Sequence, residues 1–322
     1  MLYFLLKIYS RLAIKIYCRN ILLRNKQVLR YNGPLLLAVN HPNSVLDAVI
    51  LDTLFHRPVY SLARGDSFKK KWIAVILRAL KILPVYRERE GKEQLHRNYD
   101  TFDTCLEIFK KNGTVLIFTE ALCENEWHLR PLKKGTARLA AAAWQQGIPL
   151  QILPIGLNYS SYCLFSKNVH INAGELIAPE QLLKEPNENG KLLNEITDAI
   201  ETQLKKLVYE IDSADKKKQA EVFAIHVSRA KKILLALPAI AGLVTHFLMY
   251  LPIQKSVWQK ARHSGHYDSI VTGLLFLLYP FYLSGWVLTL LAITGSWYSL
   301  LIVILWPFFA WSYVQLKPQT DC

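Results

Sequence analysis

A chain of 322 residues, 52% hydrophobic and 20% charged, is too apolar for a disordered polyelectrolyte and long enough for one domain of about 200 residues plus accessory segments. Lysine and arginine number 39 against 25 acidic residues, and the net charge of +14 favours nucleic acid or an anionic membrane surface as partner. The apolar last third decides for the membrane and sets nucleic acid aside.

In chain order, residues 1–29 set Leu2, Phe4, Leu5, Ile8, Leu12 and Ile16 among Lys7, Arg11, Lys15, Arg19, Arg24 and Lys26. Cations at near-helical spacing predict an amphipathic helix lying flat in the headgroup layer, its basic face on anionic lipid; an ordinary packing helix is the alternative. The stretch lacks the uninterrupted apolar core and small-residue cleavage site of a secretory signal. Residues 30–226 then alternate short apolar runs with helical patterns. Strands are predicted over 35–39, 59–63, 82–86, 114–118, 150–157 and 169–172, and helices over 44–54, 68–80, 95–111 and 135–146. This alternation predicts an α/β domain with a mixed, mostly parallel sheet flanked by helices. A long helix over 191–211 follows, and the Lys216-Lys217-Lys218 run reads as a solvated break or a headgroup contact.

Residues 227–322 form the membrane-associated region. The stretches 233–253, 270–293 and 296–316 hold no Lys, Arg, Asp or Glu and approach or exceed the roughly 20 residues that cross a bilayer as helix. The second and third are parted only by Thr294-Gly295, a tight hairpin. Basic residues flank the first on both sides (Arg229, Lys231, Lys232; Lys255, Lys260, Arg262), so a re-entrant or interface-lying segment is expected, with the catalytic part on the cytoplasmic face. The five cysteines are scattered without Cys/His ligand spacing, which predicts neither a disulfide framework nor a metal site.

The chemistry concentrates at predicted strand ends. Asn40-His41-Pro42-Asn43-Ser44-Val45-Leu46-Asp47 follows the strand 35–39, placing an imidazole and a carboxylate where a ligand crevice is expected. Imidazole titrates near neutrality and removes a proton from a hydroxyl, while a carboxylate on its other nitrogen fixes the tautomer. The two stand six positions apart, about 240° around a helix, so they cannot share a helical face. His41 therefore belongs to the loop before the helix; Pro42 biases it away from helical conformation, and Asn43 or Ser44 caps the helix. Further along, Leu83-Pro84-Val85-Tyr86-Arg87-Glu88-Arg89 ends a strand with two guanidinium groups suited to phosphate, and Ile117-Phe118-Thr119-Glu120-Ala121 ends the next with a carboxylate. Leu129-Arg130-Pro131-Leu132-Lys133-Lys134-Gly135 enters a helix, and Leu153-Pro154-Ile155-Gly156 supplies a glycine that admits a ligand or marks a bulge.

Four islands in this order resemble the glycerophospholipid acyltransferase superfamily, the enzymes that acylate glycerol-3-phosphate and lysophosphatidic acid, in the branch whose first motif opens with histidine-proline-asparagine. The resemblance covers roughly residues 30–180 and makes His41-to-Asp47, 83–87, Phe118-to-Ala121 and 153–156 its first to fourth motifs. It implies that His41 is the general base, that Asp47 orients it, and that no acyl-enzyme forms. It further implies that Arg64 sits where the family often has a lysine donor for the thioester oxygen, pairing with Asp66 being the alternative. Arg87 and Lys133, with Arg89 and Arg130 in reach, are implied to hold the acceptor's anionic head and Glu120 its free hydroxyl. Two departures stand out. His41 and Asp47 have five intervening residues where the family usually has four, and Thr119 and Ala121 replace the third motif's proline and glycine, with no arginine directly following. The expected activity is transfer of a fatty acyl chain from acyl-CoA or acyl-carrier protein to lysophosphatidic acid or glycerol-3-phosphate, with no cofactor. Another lysolipid, such as an amino-acid-containing one, lipid-to-lipid transacylation, and a catalytically decayed lipid-binding scaffold are the alternatives.

Overall fold

The computed structural model describes residues 2–86, 92–183, 189–262 and 264–317. Its centre is a seven-stranded sheet in the order β1-β7-β6-β2-β5-β3-β4, formed by β1 (Cys18–Arg24), β2 (Leu35–Val39), β3 (Val59–Arg64), β4 (Ile82–Val85), β5 (Thr114–Phe118), β6 (Gln151–Tyr159) and β7 (Lys167–Ala173). Among the described strands only β6 and β7 pair antiparallel, which makes this the expected mixed, mostly parallel sheet. β2 shows why its sequence is apolar throughout. Leu35, Leu37 and Val39 enter the core on one side and Leu36 and Ala38 the core on the other, as a strand buried on both faces requires.

Helices α1 (Leu2–Tyr17), α2 (Ser44–Leu54), α3 (Lys71–Ala79), α4 (Lys92–Lys110), α5 (Gly135–Gln145), α6 (Pro179–Leu182), α7 (Asn189–Leu207) and α8 (Lys216–Val222) surround the sheet. The Lys216-Lys217-Lys218 run, expected as a solvated break or a headgroup contact, opens α8, whose first turn is capped by Asp215 accepting from the Lys218 N–H.

The amino-terminal segment differs from expectation in two ways. The helix stops at Tyr17, and residues 18–24 form β1, parallel to β7, so the sheet extends upstream of residue 30. A period-two burial pattern replaces the helical one there, Ile21 and Leu23 packing on the core while Leu22 is exposed. The helix also lies the other way round. The Lys7 side chain is only 6% exposed and pairs with Asp52 at 3.3 Å, and Arg11 donates twice to the Thr53 carbonyl (3.1 and 2.7 Å). Leu2, Phe4, Leu5, Ile8 and Leu12 face outward instead. The basic face expected on lipid is thus partly consumed by the domain, because α2 offers acceptors that hold these cations.

Among the described residues, three helices are long and apolar enough to cross a membrane by length and composition: α9 (Arg229–Ala261), α10 (Tyr267–Thr294) and the segment Trp297–Leu316, which ends in α11 (Ile302–Leu316). Gly295, with φ of 64°, closes α10 by returning its N–H to Leu291, forming the expected hairpin turn. α9 runs unbroken through Pro238 and Pro252 and does not turn back as a re-entrant segment would. Both of its ends lie at the α/β domain. Lys231 bonds Gln315, which bonds the Arg19 carbonyl of β1, and at the other end Val257 packs with Tyr267 and Cys163. A Cβ on Gly242 would stand 2.1 Å from the Phe309 carbonyl oxygen, which shows how closely α9 and α11 approach.

Candidate active site

β2, in the middle of the sheet between β5 and β6, delivers the loop that holds His41 at its carboxyl end. His41 lies before α2 and Asp47 within its first turn, so the six-residue separation is bridged by a turn rather than a helix face. The His41 Nδ1 lies 2.9 Å from Asp47 Oδ2. A carboxylate only accepts, so Nδ1 carries the proton and Nε2 keeps its lone pair. The imidazole side chain is 18% exposed, and the ring stacks on Phe118 with centroids 3.7 Å apart and 14° between planes. A lone pair in the correct tautomer, clamped against an aromatic wall, is what a general base requires.

Asp47 is fully buried and multiply held. Its Oδ2 also accepts from the Asn43 N–H at 2.7 Å, and its Oδ1 accepts from the Tyr159 hydroxyl at 2.7 Å. Burial and the neighbouring carboxylate push the Tyr159 hydroxyl well up, so it stays a donor. Sequence reasoning ended the sixth strand at residue 157; β6 runs to Tyr159, and that extension brings this residue to the dyad.

The expected cap at the start of α2 is also different. Neither Asn43 nor Ser44 caps the helix with its own side chain; the Asn43 amide donates to Asp268 of α10 at 2.6 Å, and Ser44, at φ of 53°, hydrogen-bonds His266 at 2.6 Å. The Ser44 N–H is met by the Cys123 sulfur at 3.0 Å and the Leu46 N–H by the Ser269 hydroxyl at 3.1 Å. Burial pushes the Cys123 thiol up to about 12, so it remains neutral beside the dyad.

Glu120 stands between two loops of the site. It is only 5% exposed, and its two oxygens accept from the His41 N–H (2.8 Å) and the Arg130 N–H (2.9 Å). Burial raises its carboxyl pKa while those two bonds oppose the rise. Through these two bonds Glu120 ties the loop after β5 to the loop after β2, and each oxygen keeps a further lone pair. Thr119 reinforces the tie, since its N–H and hydroxyl both donate to the Val39 carbonyl (2.8 and 3.1 Å). Ala121, standing where the family has glycine, takes φ of 54°, the left-handed region that explains the glycine.

The expected cations are unequally placed. Lys133 is exposed, and its backbone is bonded to the Thr119 carbonyl at 2.8 Å, at the same end of the sheet as His41. Arg130 is half-buried and donates to Glu126 at 3.0 Å, an oxygen it shares with His128. Arg64 ends β3, separated from β2 by β5 and so about 10 Å away laterally, and it is ion-paired with Asp66, the alternative to a thioester donor. Arg87 and Arg89 lie outside the described residues. Gly156 serves packing: a Cβ there would stand 2.5 Å from the Leu207 carbonyl oxygen, to which Asn158 and Asn172 also donate (3.0 and 2.7 Å), closing α7. No group of three or more His, Cys, Asp or Glu side chains able to hold a metal occurs among the described residues.

Residues 20–158 match the sequence model of the family described as Acyltransferase. No curated protein matches the chain. Among solved structures, the chain is similar to the 1-acyl-sn-glycerophosphate (LPA) acyltransferase PlsC from Thermotoga maritima. That likeness has 14% identity and a TM-score of 0.39 over 57% of this chain and 71% of the other. His41, Asp47 and the other motif residues all fall inside the stretch that matches the Acyltransferase model, so residues 20–158 are similar to that family, in keeping with the resemblance to the glycerophospholipid acyltransferase superfamily read from the sequence.

Proposed function

We propose that this acyltransferase moves a fatty acyl chain from acyl-CoA or acyl-carrier protein to a hydroxyl of lysophosphatidic acid or glycerol-3-phosphate. The observation that carries the reading is the His41–Asp47 pair at 2.9 Å, with the imidazole's second nitrogen left unbonded among the described residues. In the proposed step Nε2 of His41 accepts the hydroxyl proton as the oxygen attacks the thioester carbonyl. The carbon–sulfur bond then breaks, and the imidazolium returns its proton to the leaving thiolate. Asp47 holds the ring and stabilises its cation during the step. Lys133, Arg130, Arg87 and Arg64 are the cations proposed for the acceptor's anionic head and the thioester oxygen. Holding the acceptor at both ends converts a collision into an oriented encounter.

A bilayer setting fits such substrates, since a mono-acylated acceptor and a di-acylated product both reside in lipid. The three apolar helices and the outward apolar face of α1 support attachment, and the basic flanks of α9 support a cytoplasmic catalytic face. One observation favours a second reading within the same reaction class. Arg64 and Arg130 are already neutralised by Asp66 and Glu126, which suits a less anionic acceptor such as an amino-acid-containing lysolipid. The intact dyad argues against a decayed scaffold. The test is to supply the purified protein with labelled acyl-CoA or acyl-carrier protein and a panel of lyso acceptors, and to identify products by mass spectrometry. Acylation of the phosphate acceptors alone supports the first reading, acylation of the amino-acid lipid alone the second, and no product from either donor refutes both.

A further inference from the structure

The dyad is braced from a part of the chain far outside the residues that match the family. The loop between α9 and α10 and the first turn of α10 reach the loop holding His41 and Asp47 at several separate points. Ser269 is the most direct. Its hydroxyl accepts from the Leu46 N–H (3.1 Å) and donates to the Asn43 carbonyl (3.0 Å), so one side chain spans the start of α2. Asp268 is 1% exposed and grips the Asn43 amide at 2.6 Å, while the buried Lys167 of β7 and the Tyr17 hydroxyl at the end of α1 hold the same carboxylate. His266 and Gly265 add bonds to Ser44 and Cys123 (2.6 and 3.6 Å).

This arrangement has a consequence for Asp47. The first amides of a helix have no partners within it, and a helix end is commonly closed by its own N-terminal side chain. In α2 the local side chains are diverted, and α10 supplies the closure in their place. Asn43 sits at the junction: its side chain and carbonyl are held by Asp268 and Ser269, while its N–H donates to Asp47 Oδ2, the oxygen that also receives His41 Nδ1. Moving Asn43 therefore moves the carboxylate that sets the imidazole. Lys167 and Asp268 are both buried, and a buried ion pair alone is weak evidence for stability. Its position, one hydrogen bond from Asn43, gives it a further use. Lys167, Asp268 and Ser269 all lie beyond residue 158, where the family match ends.

We propose that Ser269 and Asp268, on the apolar helix α10, are positioning residues for the His41–Asp47 dyad, so that the carboxyl-terminal helical region completes the active site as well as attaching it to the membrane. The proposal rests on the acyl-transfer reading of that dyad. It acts through orientation alone, since neither residue is bonded to His41, whose ring is faced by Asp47 from α2 and by Phe118 of β5 and whose backbone N–H is held by Glu120.

The test uses full-length protein in lipid or detergent. Ser269→Ala removes the hydroxyl with little change in volume, Ser269→Thr restores it, and Asp268→Asn combined with Lys167→Met removes both buried charges together. Loss of one or two such hydrogen bonds, expressed only through orientation, predicts a fall in kcat of about fivefold to tenfold in Ser269→Ala with KM within about twofold, recovered in Ser269→Thr. A second readout needs no turnover: the downfield proton of His41 Nδ1–H, identified by its loss in His41→Ala, should broaden or move in Ser269→Ala and in the double variant and return in Ser269→Thr. An unchanged resonance in both variants overturns the proposal whatever the assay gives. Wild-type protein inactive with every donor and acceptor, yet showing the resonance and its response, would instead refute the acyl-transfer reading and leave the positioning role supported.

Discussion

Replacing Asp47 by asparagine separates two ways in which a carboxylate helps a histidine. In the structure Oδ2 receives two donors, His41 Nδ1–H and the Asn43 N–H, while Oδ1 receives the Tyr159 hydroxyl. An asparagine at this position keeps its carbonyl at the Oδ2 site, because turning its amide there would set two N–H groups against the backbone donor of Asn43. The amide then faces the Tyr159 oxygen, which accepts by rotating its own proton. The imidazole tautomer is therefore preserved, and what is lost is the charge that stabilises the imidazolium. Two unit charges about 4 Å apart interact by about 4 kcal/mol at an effective dielectric near 20, and a neutral amide retains a fraction of that. A loss of about 2 to 4 kcal/mol in the transition state corresponds to a fall in kcat of roughly 30- to 1,000-fold. The assay is initial-rate transfer of a radiolabelled acyl chain to the preferred lyso acceptor, with circular dichroism to confirm the fold. A loss of about 10,000-fold, the size expected from a wrong tautomer, would refute the oxygen placement, and wild-type turnover would refute the role of Asp47 altogether.

Ala121→Gly should raise apparent stability by up to ~1 kcal/mol, since it relieves a side chain at positive φ while adding backbone freedom to the unfolded chain; a lowered melting temperature would contradict the strain. Gly156→Ala should destabilise by about 1 to 3 kcal/mol by driving a methyl against the Leu207 carbonyl, and denaturant unfolding with unchanged stability would show that α7 yields there. Cys123, its thiol pushed up to about 12, should alkylate slowly at pH 8 with a thiolate fraction on the order of 10⁻⁴, and rapid modification followed by peptide mass spectrometry would contradict that. In a cysteine-free background, single cysteines at Ser256 and Gly295 should be labelled from outside intact cells only at Gly295; labelling at Ser256 would place that end of α9 across the membrane.

Much of this was legible in the sequence because the relevant signals are local. Val39-Asn40-His41-Pro42 carries both the strand end and the loop conformation of the base, and the absence of charge between Ile270 and Ile293 marks α10 as apolar without reference to any contact. The long-range partners were not legible. Lys7 and Arg11 read as lipid-facing cations, because nothing local shows that Asp52 and the Thr53 carbonyl would turn them inward. Glu120 matched a motif position, but its engagement by two backbone N–H groups depends on loops that meet only in the fold. Asp268 offered one overlooked signal. An acidic residue beside Tyr267 at the threshold of a long apolar helix is costly to bury without a partner, and its partners lie 101, 225 and 251 residues away.

In the proposed reaction His41 is the base of a direct acyl transfer. This role is tested by incubating wild-type and folded His41→Ala protein, reconstituted in vesicles, with labelled acyl thioester and lyso acceptor, and quantifying di-acylated lipid and protein-bound label. The account predicts di-acylated product from the wild type, none from His41→Ala with membrane association unchanged, and no acyl group left on the protein when acceptor is withheld. Product formed by His41→Ala at the wild-type rate, or label trapped covalently on the wild-type chain, would contradict it.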